Sequence, residues 1–542
     1  MRKNIKIVTL VIFTGITSCS FLHAQTAAWT YYHNGTRHMY DEAFSIVQGR
    51  DTNLYMGGYN DNTATYADFS VVSLTSSGAQ RWIYERDGGV NMYAEYAKSI
   101  LYGSNGNIYS AGTLYQMTTG YDFTVIGLNR TGSMLWTYTY NYPGDGFDWA
   151  NAMVEGPDAN LYAAGLCGYF NSNHAYFIVN SLTLTGTERW RYVWPVAVQY
   201  YNEANDITVG PDGNIYAAGT VWGENYENEE DFAVVSLRPD GTQRWQYLHN
   251  GPGSSSDCAR AITCGPNGNT YVAGEEWTQG SRENALVIAI DSNGVERWVY
   301  SYNGPGNNVD IFWSITLGAD GNLYAAGQCD GDWNWGNPNF LVVSLDTNGN
   351  ERWVYRYNGT GNYVDYANRI IYGADGNIYV AGASYSSINN DADFIVVSLS
   401  SSGAERWIYR NGGSANLTSE AHDLIYSADN KLYVCGYIHN GLGHQGDLAV
   451  ICLYPGTGIE EQPDVRSIRH NTKLNVIPNP FMSYTIVIGQ EKEYFEIYNN
   501  VGKLVGIEKG SRIGIGLTPG VYFLKPLKNN LQTLRIVKIS RK

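Results

Sequence analysis

Apolar and polar positions along this chain alternate on a short period and repeat on a long one. On the short scale, runs such as Phe394-Ile395-Val396-Val397-Ser398-Leu399 are bounded by clusters of Gly, Asn, Asp and Ser, the signature of short strands separated by turns. No stretch sustains the 3.6-residue spacing of an amphipathic helix. On the long scale, Trp-x-Tyr recurs with its Trp at positions 29, 82, 136, 190, 245, 298, 353 and 407, always 53 to 55 residues apart. A Tyr on the second strand of each unit recurs at 55, 109, 162, 216, 271, 324, 379 and 433 with the same spacing. Such self-similarity means a repeat architecture.

One unit, residues 365–409, predicts four strands: A over 366–372, B over 377–381, C over 394–399 and D over 406–409. Asn105-Gly106, Asp212-Gly213, Asn267-Gly268, Asp320-Gly321 and Asp375-Gly376 mark the A–B connections. These dipeptides signal tight hairpins in which both central residues take positive φ. Gly78, Gly132, Gly186, Gly241, Gly294, Gly349 and Gly403 mark the C–D turns. A sheet of ~50 residues with two apolar faces cannot bury both alone, whereas a ring of such sheets can. The eighth unit has no Trp-x-Tyr after Leu453, and the missing strand D is found at the other end of the chain in Trp29-Thr30-Tyr31. The expected fold is therefore all-β: an eight-bladed β-propeller over residues 26–455, closed by the N-terminal strand so that no edge is left open.

Composition fits an exported β-protein. The 45 Tyr, 15 Trp and 61 Gly suit pleated strands and the turns between them. A net charge of −16 excludes nucleic acid and anionic membrane as partners, since both need a basic face. Residues 1–24 read as a signal peptide: Arg2, Lys3 and Lys6 precede an apolar run, 7–16, too short to span a bilayer. Cleavage is expected after Ala24; Ile16-Thr17-Ser18-Cys19 also resembles a lipobox that would acylate Cys19. No other segment approaches the ~20 apolar residues of a transmembrane helix. Cys167, Cys258, Cys264, Cys329, Cys435 and Cys452 are too sparse for a disulfide scaffold. Cys435 and Cys452 could pair, but core positions are the simpler reading.

Segments such as Ala289-Ile290-Asp291-Ser292-Asn293-Gly294-Val295-Glu296-Arg297-Trp298 resemble the tryptophan-docking motif of quinoprotein-like (PQQ-like) propellers. The Asp-Gly-Asn-Ile-Tyr-x-Ala-Gly core is similar to bacterial propeller repeats of the SBBP type. The resemblance implies the fold in all eight units. It does not extend to quinone chemistry, because quinone-dependent dehydrogenases of this shape carry adjacent cysteines and this chain has no Cys-Cys. Residues 456–473 form a linker, and 474–542 depart from the repeat. Val476-Ile477-Pro478-Asn479-Pro480-Phe481, Ile497-Tyr498-Asn499-Asn500-Val501-Gly502-Lys503-Leu504-Val505 and Leu517-Thr518-Pro519-Gly520-Val521-Tyr522-Phe523-Leu524 resemble the C-terminal sorting domain of type IX secretion. That resemblance implies a small Ig-like β-sandwich that engages the secretion machinery of a Gram-negative-type bacterium; the plainer reading is an ordinary Ig-like module.

The A–B and C–D turns fall on one face of the expected ring, and the longer, irregular B–C and D–A loops on the other, where binding residues belong. Seven Trp stand outside the Trp-x-Tyr series, in or beside these loops of the third to sixth units: Trp149, Trp194, Trp222, Trp277, Trp313, Trp333 and Trp335. Residues that break the repeat are free to serve a ligand, and exposed aromatic planes stack on sugars or anchor protein partners. The competing reading is that long loops use large side chains to pack on one another. A second set, Asp41, Glu95, Asp148, Asn202, Asp257, Asp310, Asp365 and Ser419, precedes strand A in every unit. Presence in nearly every unit favours a structural role, accepting hydrogen bonds from the D–A loop.

Other constellations carry less. His33, His38, His439 and His444 could share a sector, but with no regular ligand spacing, so no metal site is assigned. Asp330-Gly331-Asp332-Trp333-Asn334 does not fit the EF-hand pattern. The acidic run around Glu224, Glu227, Glu229, Glu230 and Asp231 reads as a solvated loop. HExxH, GxSxG, Walker and Rossmann signatures are lacking, although carboxylate pairs drawn from different blades would leave no local spacing. The expectation is a secreted or surface-displayed binding module for carbohydrate or an extracellular protein, with no cofactor. The alternatives are a propeller enzyme (lyase, glycosidase or quinone-dependent oxidoreductase) and an architectural envelope protein.

Overall fold

The computed structural model describes residues 25–456 apart from 90–92, 144–145, 169–173, 196–200, 223–229, 254, 332–336, 360–362, 388–390, 414–416 and 440–445. Beyond 456 it describes 475–477, 484, 486–488, 494–499, 503–509, 511–526 and 534–538. The expected signal peptide, 1–24, and most of the linker, 457–473, lie outside the described residues. The chain divides into two compact units, 1–461 and 462–542.

Among the described residues the first unit is all-β, with eight antiparallel sheets of four strands, the second extended by a two-residue parallel bridge at Gly146–Phe147. In the first sheet β2 (Glu42–Gln48), β3 (Leu54–Asn62), β4 (Tyr66–Leu74) and β5 (Gln80–Arg86) pair in sequence order, and later sheets repeat this meander. The strands run further into the loops than expected: strands B and C of the seventh sheet are Ile378–Ser387 and Asp391–Leu399. The last sheet has a different source for its fourth strand. There β1 (Ala27–His33) pairs antiparallel with Asp447–Leu453, placing Trp29 opposite Cys452. Strand A of each sheet lies beside strand A of the next, and Glu420–Tyr426 of the last sheet lies beside β2 of the first. Consecutive sheets packed face to face in this way have the arrangement of a β-propeller.

Two repeated devices explain the periodic residues. First, seven Trp of the Trp-x-Tyr series donate their indole N–H to a carbonyl in the C–D turn of the following sheet, and Trp407 donates to Pro455 O, just past strand C of the last sheet. The bonds run from Trp82 to Arg130, Trp245 to Ser292, Trp298 to Thr347 and Trp353 to Ser401, at 2.9–3.1 Å. Trp29 donates to Ser76 O of the first sheet at 3.2 Å. The indole lies against the turn glycine: a Cβ on Gly349, at φ +84°, would come within 2.6 Å of the Trp298 ring. Glycine is thus required there both by conformation and by the approach of the ring. Second, the strand-B tyrosine is fully buried, and its hydroxyl reaches back to the A–B turn. Tyr379 donates to Asp375 Oδ2 at 2.6 Å, and Arg406 joins Tyr379 to Ser398.

The A–B turns correct one expectation. Only the residue in the Gly position takes positive φ, as at Gly106 (82°), while Asn105 does not. The loop is closed by Gly106 N–H to Gly103 O and Gly103 N–H to Asn107 O, a type I turn followed by a bulge. Cys435 and Cys452 are free, fully buried thiols in the apolar layer that also holds Ala43, Leu54 and Val72 of the first sheet.

The residues before strand A are buried throughout the ring position, from Asp41 to Ser419. Where the residue is acidic it clamps two loops through its carboxylate. Asp257 accepts from Gly251 N–H (2.6 Å) on the D–A side and from Trp277 N–H (2.6 Å) on the B–C side. Asp310 does the same with Gly304 and Asp330. Asn202 keeps half of the clamp by accepting from Trp222 N–H and turns its amide to Ala175 O. Burial pushes Asp257 and Asp310 up to about 6 against the pull of these N–H donors.

The second unit has a two-stranded sheet, Asn475–Ile477 with Ile486–Ile488, and a four-stranded sheet in the order Leu504–Lys509, Tyr494–Asn499, Gly520–Pro526, Leu534–Lys538. Val487, Phe495, Ile497, Ile513, Tyr522 and Leu524 form its core.

Two outcomes are expected. Gly349→Ala should destabilise the protein by about 1–3 kcal/mol through strain at positive φ and contact with Trp298, whereas Gly456→Ala, with nothing within 4 Å of the added carbon, should leave the urea midpoint unchanged. The clamp carboxyls set a pH trend. Their folded pKa lies above the ~3.9 of an unfolded Asp, so their contribution is fully present below about pH 4 and is lost as pH rises through about 6. Urea midpoints should therefore fall between about pH 4 and 7, and the slope should flatten in the Asp257→Asn/Asp310→Asn double variant.

Candidate functional site

All eight A strands carry a bulge at one equivalent position: the register shifts across Phe44, Lys98, Asn151, Asn205, Arg260, Trp313, Asn368 and His422. A bulge re-aims the extra side chain out of the regular alternation. Here these side chains run along the inner wall toward the neighbouring sheet. Lys98 Nζ donates to Asn151 Oδ1 (2.9 Å), and Asn151 donates to Glu203 Oε1 (2.6 Å) and Ala204 O (3.0 Å). Tyr201 donates to the other Glu203 oxygen at 2.6 Å. Asn205 and Asn368 each donate to the backbone carbonyl of the next strand A, at Ala259 and Ala421. Asp206 of the fourth sheet feels the positive charge of Arg369 in the seventh, as groups facing a common axis do.

The wall divides into sectors. In the fifth and sixth sheets, Arg260 makes a two-nitrogen ion pair with Glu275, closing to 2.5 Å, and its guanidinium stands 4.5 Å over the Trp313 ring. In the second and third, Lys98 stands 4.8 Å over the Trp149 ring, and burial lowers its pKa. Trp149 also stacks on Phe147 and Tyr121, with centroids 6.0 and 6.2 Å away. Its indole N–H is buried and has no acceptor. In the eighth and first sheets, His422 lies 3.6 Å from Glu42 and 3.8 Å from Glu420, between the rings of Phe44 and Tyr437. Burial pulls His422 down, but the carboxylates of Glu420 and Glu42 outweigh it and raise its pKa. Burial raises the phenols of Tyr59 and Tyr437, reinforced by Glu42 at both and by Glu420 at Tyr437.

The seven tryptophans separate into three groups. Trp149 and Trp313 are half-buried parts of the wall itself. Trp222 and Trp277 occupy the equivalent rim position, each fastened through its backbone N–H to the ring residue of its own sheet, Asn202 or Asp257. The Trp277 indole lies flat against Gly253, where a Cβ would meet it at 2.1 Å. Trp194 does not belong with them: it is only 5% exposed and packs on Phe177 among Ala204, Val221 and Val235. Its neighbour Pro195 ends the strand, and the indole fills the gap between the third and fourth sheets. Trp333 and Trp335 lie outside the described residues.

Of the expected histidines, His33, His38 and His439 form no shared ligand set among the described residues, and His444 lies outside them. Asp330 serves as a loop clasp, accepting from Gly306 N–H at 2.6 Å. A cavity of about 960 Å³ opens on the opposite, A–B-turn face, lined by Leu317, Asp320, Thr347, Tyr372 and Tyr426 among others. Apart from Trp149 and Trp313, the wall escaped the reading of the sequence because its members are of several residue types; only their common place after the strand-A Ala or Phe could have revealed them.

No family model matches the chain, and no curated protein matches it. Solved structures similar to it include the WD40 domain of SCAP from fission yeast, with a TM-score of 0.43 at 11% identity over 80% of this chain and 96% of that one. The polysaccharide lyase Uly1 has a TM-score of 0.40 at 11% identity over 70% and 93%. The α-L-arabinanase of Penicillium chrysogenum, solved with arabinobiose, has a TM-score of 0.34 at 12% identity over 55% and 91%.

Proposed function

We propose that this chain is an exported, non-catalytic carbohydrate-binding protein, built as an eight-bladed ring that β1 closes. Residues 1–24 serve as its leader, and 474–542 as its sorting domain. The ligand enters from the rim of the B–C and D–A loops and stacks in the sector of the third to sixth sheets. The observation that carries the reading is Trp149: a half-buried aromatic plane in the inner wall whose indole N–H, buried and without an acceptor, offers a hydrogen bond to a sugar hydroxyl. Trp313 presents a second plane, with Trp222 and Trp277 at the rim above. The polar groups between them are already engaged with one another, from Lys98 through Asn151 to Glu203 and from Arg260 to Glu275. Such a wall supports holding a ligand more than transferring a proton to it.

One observation favours a second reading, an enzyme acting in the eighth and first sheets. His422 between Glu42 and Glu420, with phenols beside it, has the groups of general acid–base catalysis.

A glycan array probed with the mature protein, followed by calorimetry on the best glycan, tests both. Trp149→Phe, which keeps the stacking and removes the N–H, should weaken binding several-fold, and Trp149→Phe/Trp313→Ala by more than about tenfold, about 1.4 kcal/mol. Unchanged affinity in the double variant would remove the aromatic wall from the reading. Cleavage of a glycan that is lost in His422→Gln would move the assignment to the enzyme. Ring closure has its own check: deleting residues 25–36 should lower the melting temperature and produce oligomers through the exposed edge of 447–453. A monodisperse deletion variant of unaltered melting temperature would contradict it.

A further inference from the structure

The ring residues and the first residues of strand C form a junction between each sheet and the next. At several junctions a base accompanies the acids. Arg410 pairs with Asp393 at 3.0 Å, where the ring residue is Ser419. His249 acts on Asp257, and His33 stands near Asp447. The junction of the first and second sheets departs from this pattern. There Asp68 opens strand C, Asp87 follows strand D, and Glu95 is the ring residue. The three offer carboxylate oxygens within 4.8 Å of one another. The charges acting on Glu95 are those of Asp87 and Asp68, and those acting on Asp68 are Asp87 and Glu85, all acidic.

Two of the three are almost fully enclosed, Asp68 at 4% and Glu95 at 1% exposure. Each has donors on one oxygen only. Asp68 Oδ2 accepts from Thr65 Oγ1 (2.6 Å) and Asn62 Nδ2 (2.9 Å). Glu95 Oε1 accepts from the N–H groups of Gly88 (2.7 Å) and Tyr115 (3.3 Å). The remaining oxygens, Asp68 Oδ1 and Glu95 Oε2, are buried with no donor among the described residues. Two enclosed carboxylates that each keep a donor-free oxygen, drawn together with a third carboxylate, need a cation or protons to be tolerated.

We propose that Asp68, Asp87 and Glu95 bind a divalent metal ion, with calcium as the cation of matching size, at the junction of the first and second sheets. Oxygens on one Ca²⁺ lie up to about 5 Å apart, given bonds of about 2.3–2.6 Å, whereas Mg²⁺ holds its ligands within about 4.2 Å. The ion would fasten the segment after strand D, through Asp87 and Gly88, to strand C of the first sheet and strand A of the second. It does for this junction what Arg410 does at the last.

The experiment uses the full chain after treatment with EGTA. About 5 mM CaCl₂ should raise the melting temperature by roughly 2–5 °C, and Tb³⁺ should show tyrosine-sensitised luminescence that calcium displaces, since the Tyr121 phenol is near enough to feel the Glu95 charge. Asp87→Asn should weaken Tb³⁺ binding by at least about tenfold while leaving the circular dichroism spectrum in EGTA unaltered. Glu95→Gln, which keeps an oxygen for the Gly88 and Tyr115 N–H groups, should abolish the calcium shift. No thermal shift with calcium and no Tb³⁺ signal would overturn the site. So would Tb³⁺ affinity that survives in Asp87→Asn, and an equal shift with MgCl₂ would overturn the choice of calcium.

Discussion

The fold depends on one contact made repeatedly: an indole from the outer strand of one sheet lying on the glycine turn of the next. The contact is exacting on both sides. The turn must be a left-handed glycine because any side chain would occupy the space of the ring. The indole must be tryptophan because its N–H ties the outer strand to a turn carbonyl of the next sheet. Trp29 resting on the turn at Gly78 has the same geometry as Trp298 on Gly349, so the contact between the last and first sheets is made by the same means as the contacts between neighbours in sequence.

Inside this frame the A strands have a different duty. Outer strands meet the next sheet through repeated residues, but the bulge of strand A delivers a side chain that varies from sheet to sheet: an aromatic, a base, an amide or a histidine. Fold and variation are thereby separated along the radius. The apolar layers between sheets are kept by Ala, Val, Ile, Leu and the buried tyrosines, while the wall can change without disturbing them. The carboxylate clamps lie between these two zones. They hold the D–A and B–C loops above the wall, and their enclosure explains their raised pKa values.

Much of this was legible in the sequence, because a residue that recurs every 53 to 55 positions advertises its role by recurrence. The Trp, the turn Gly, the strand-B Tyr and the acid before strand A are of this kind. Recurrence also led to the acids being read as structural; their bonds to the D–A loop fit that reading, and the bonds to residues twenty positions later, such as Trp277, were additional. Departures from the repeat were less transparent. Trp194, Trp222 and Trp149 are alike as breaks in a pattern, yet one fills the core, one stands on the rim and one lines the wall. The difference lies in whether each follows strand D, ends strand B or begins strand A. The cluster of Asp68, Asp87 and Glu95 was out of reach because its members are drawn from the ends of three strands in two sheets. The hairpin dipeptides misled for a local reason: Asn-Gly suits a two-residue turn, but here the chain takes one more residue and closes with a bulge.

The pairing of β1 has a consequence for the order of events in synthesis. Gln25 and Tyr454, hydrogen-bonded partners beside this pairing, are 429 residues apart in the chain, so the first strand made is the last to find its neighbour. Until residues 447–453 emerge, the segment from Ala27 to His33, with its Trp and two Tyr, has no sheet to join. Such a long-range pairing is slow to form. The seam is therefore also a timer: the last sheet acquires its outer strand only after all the others have been made.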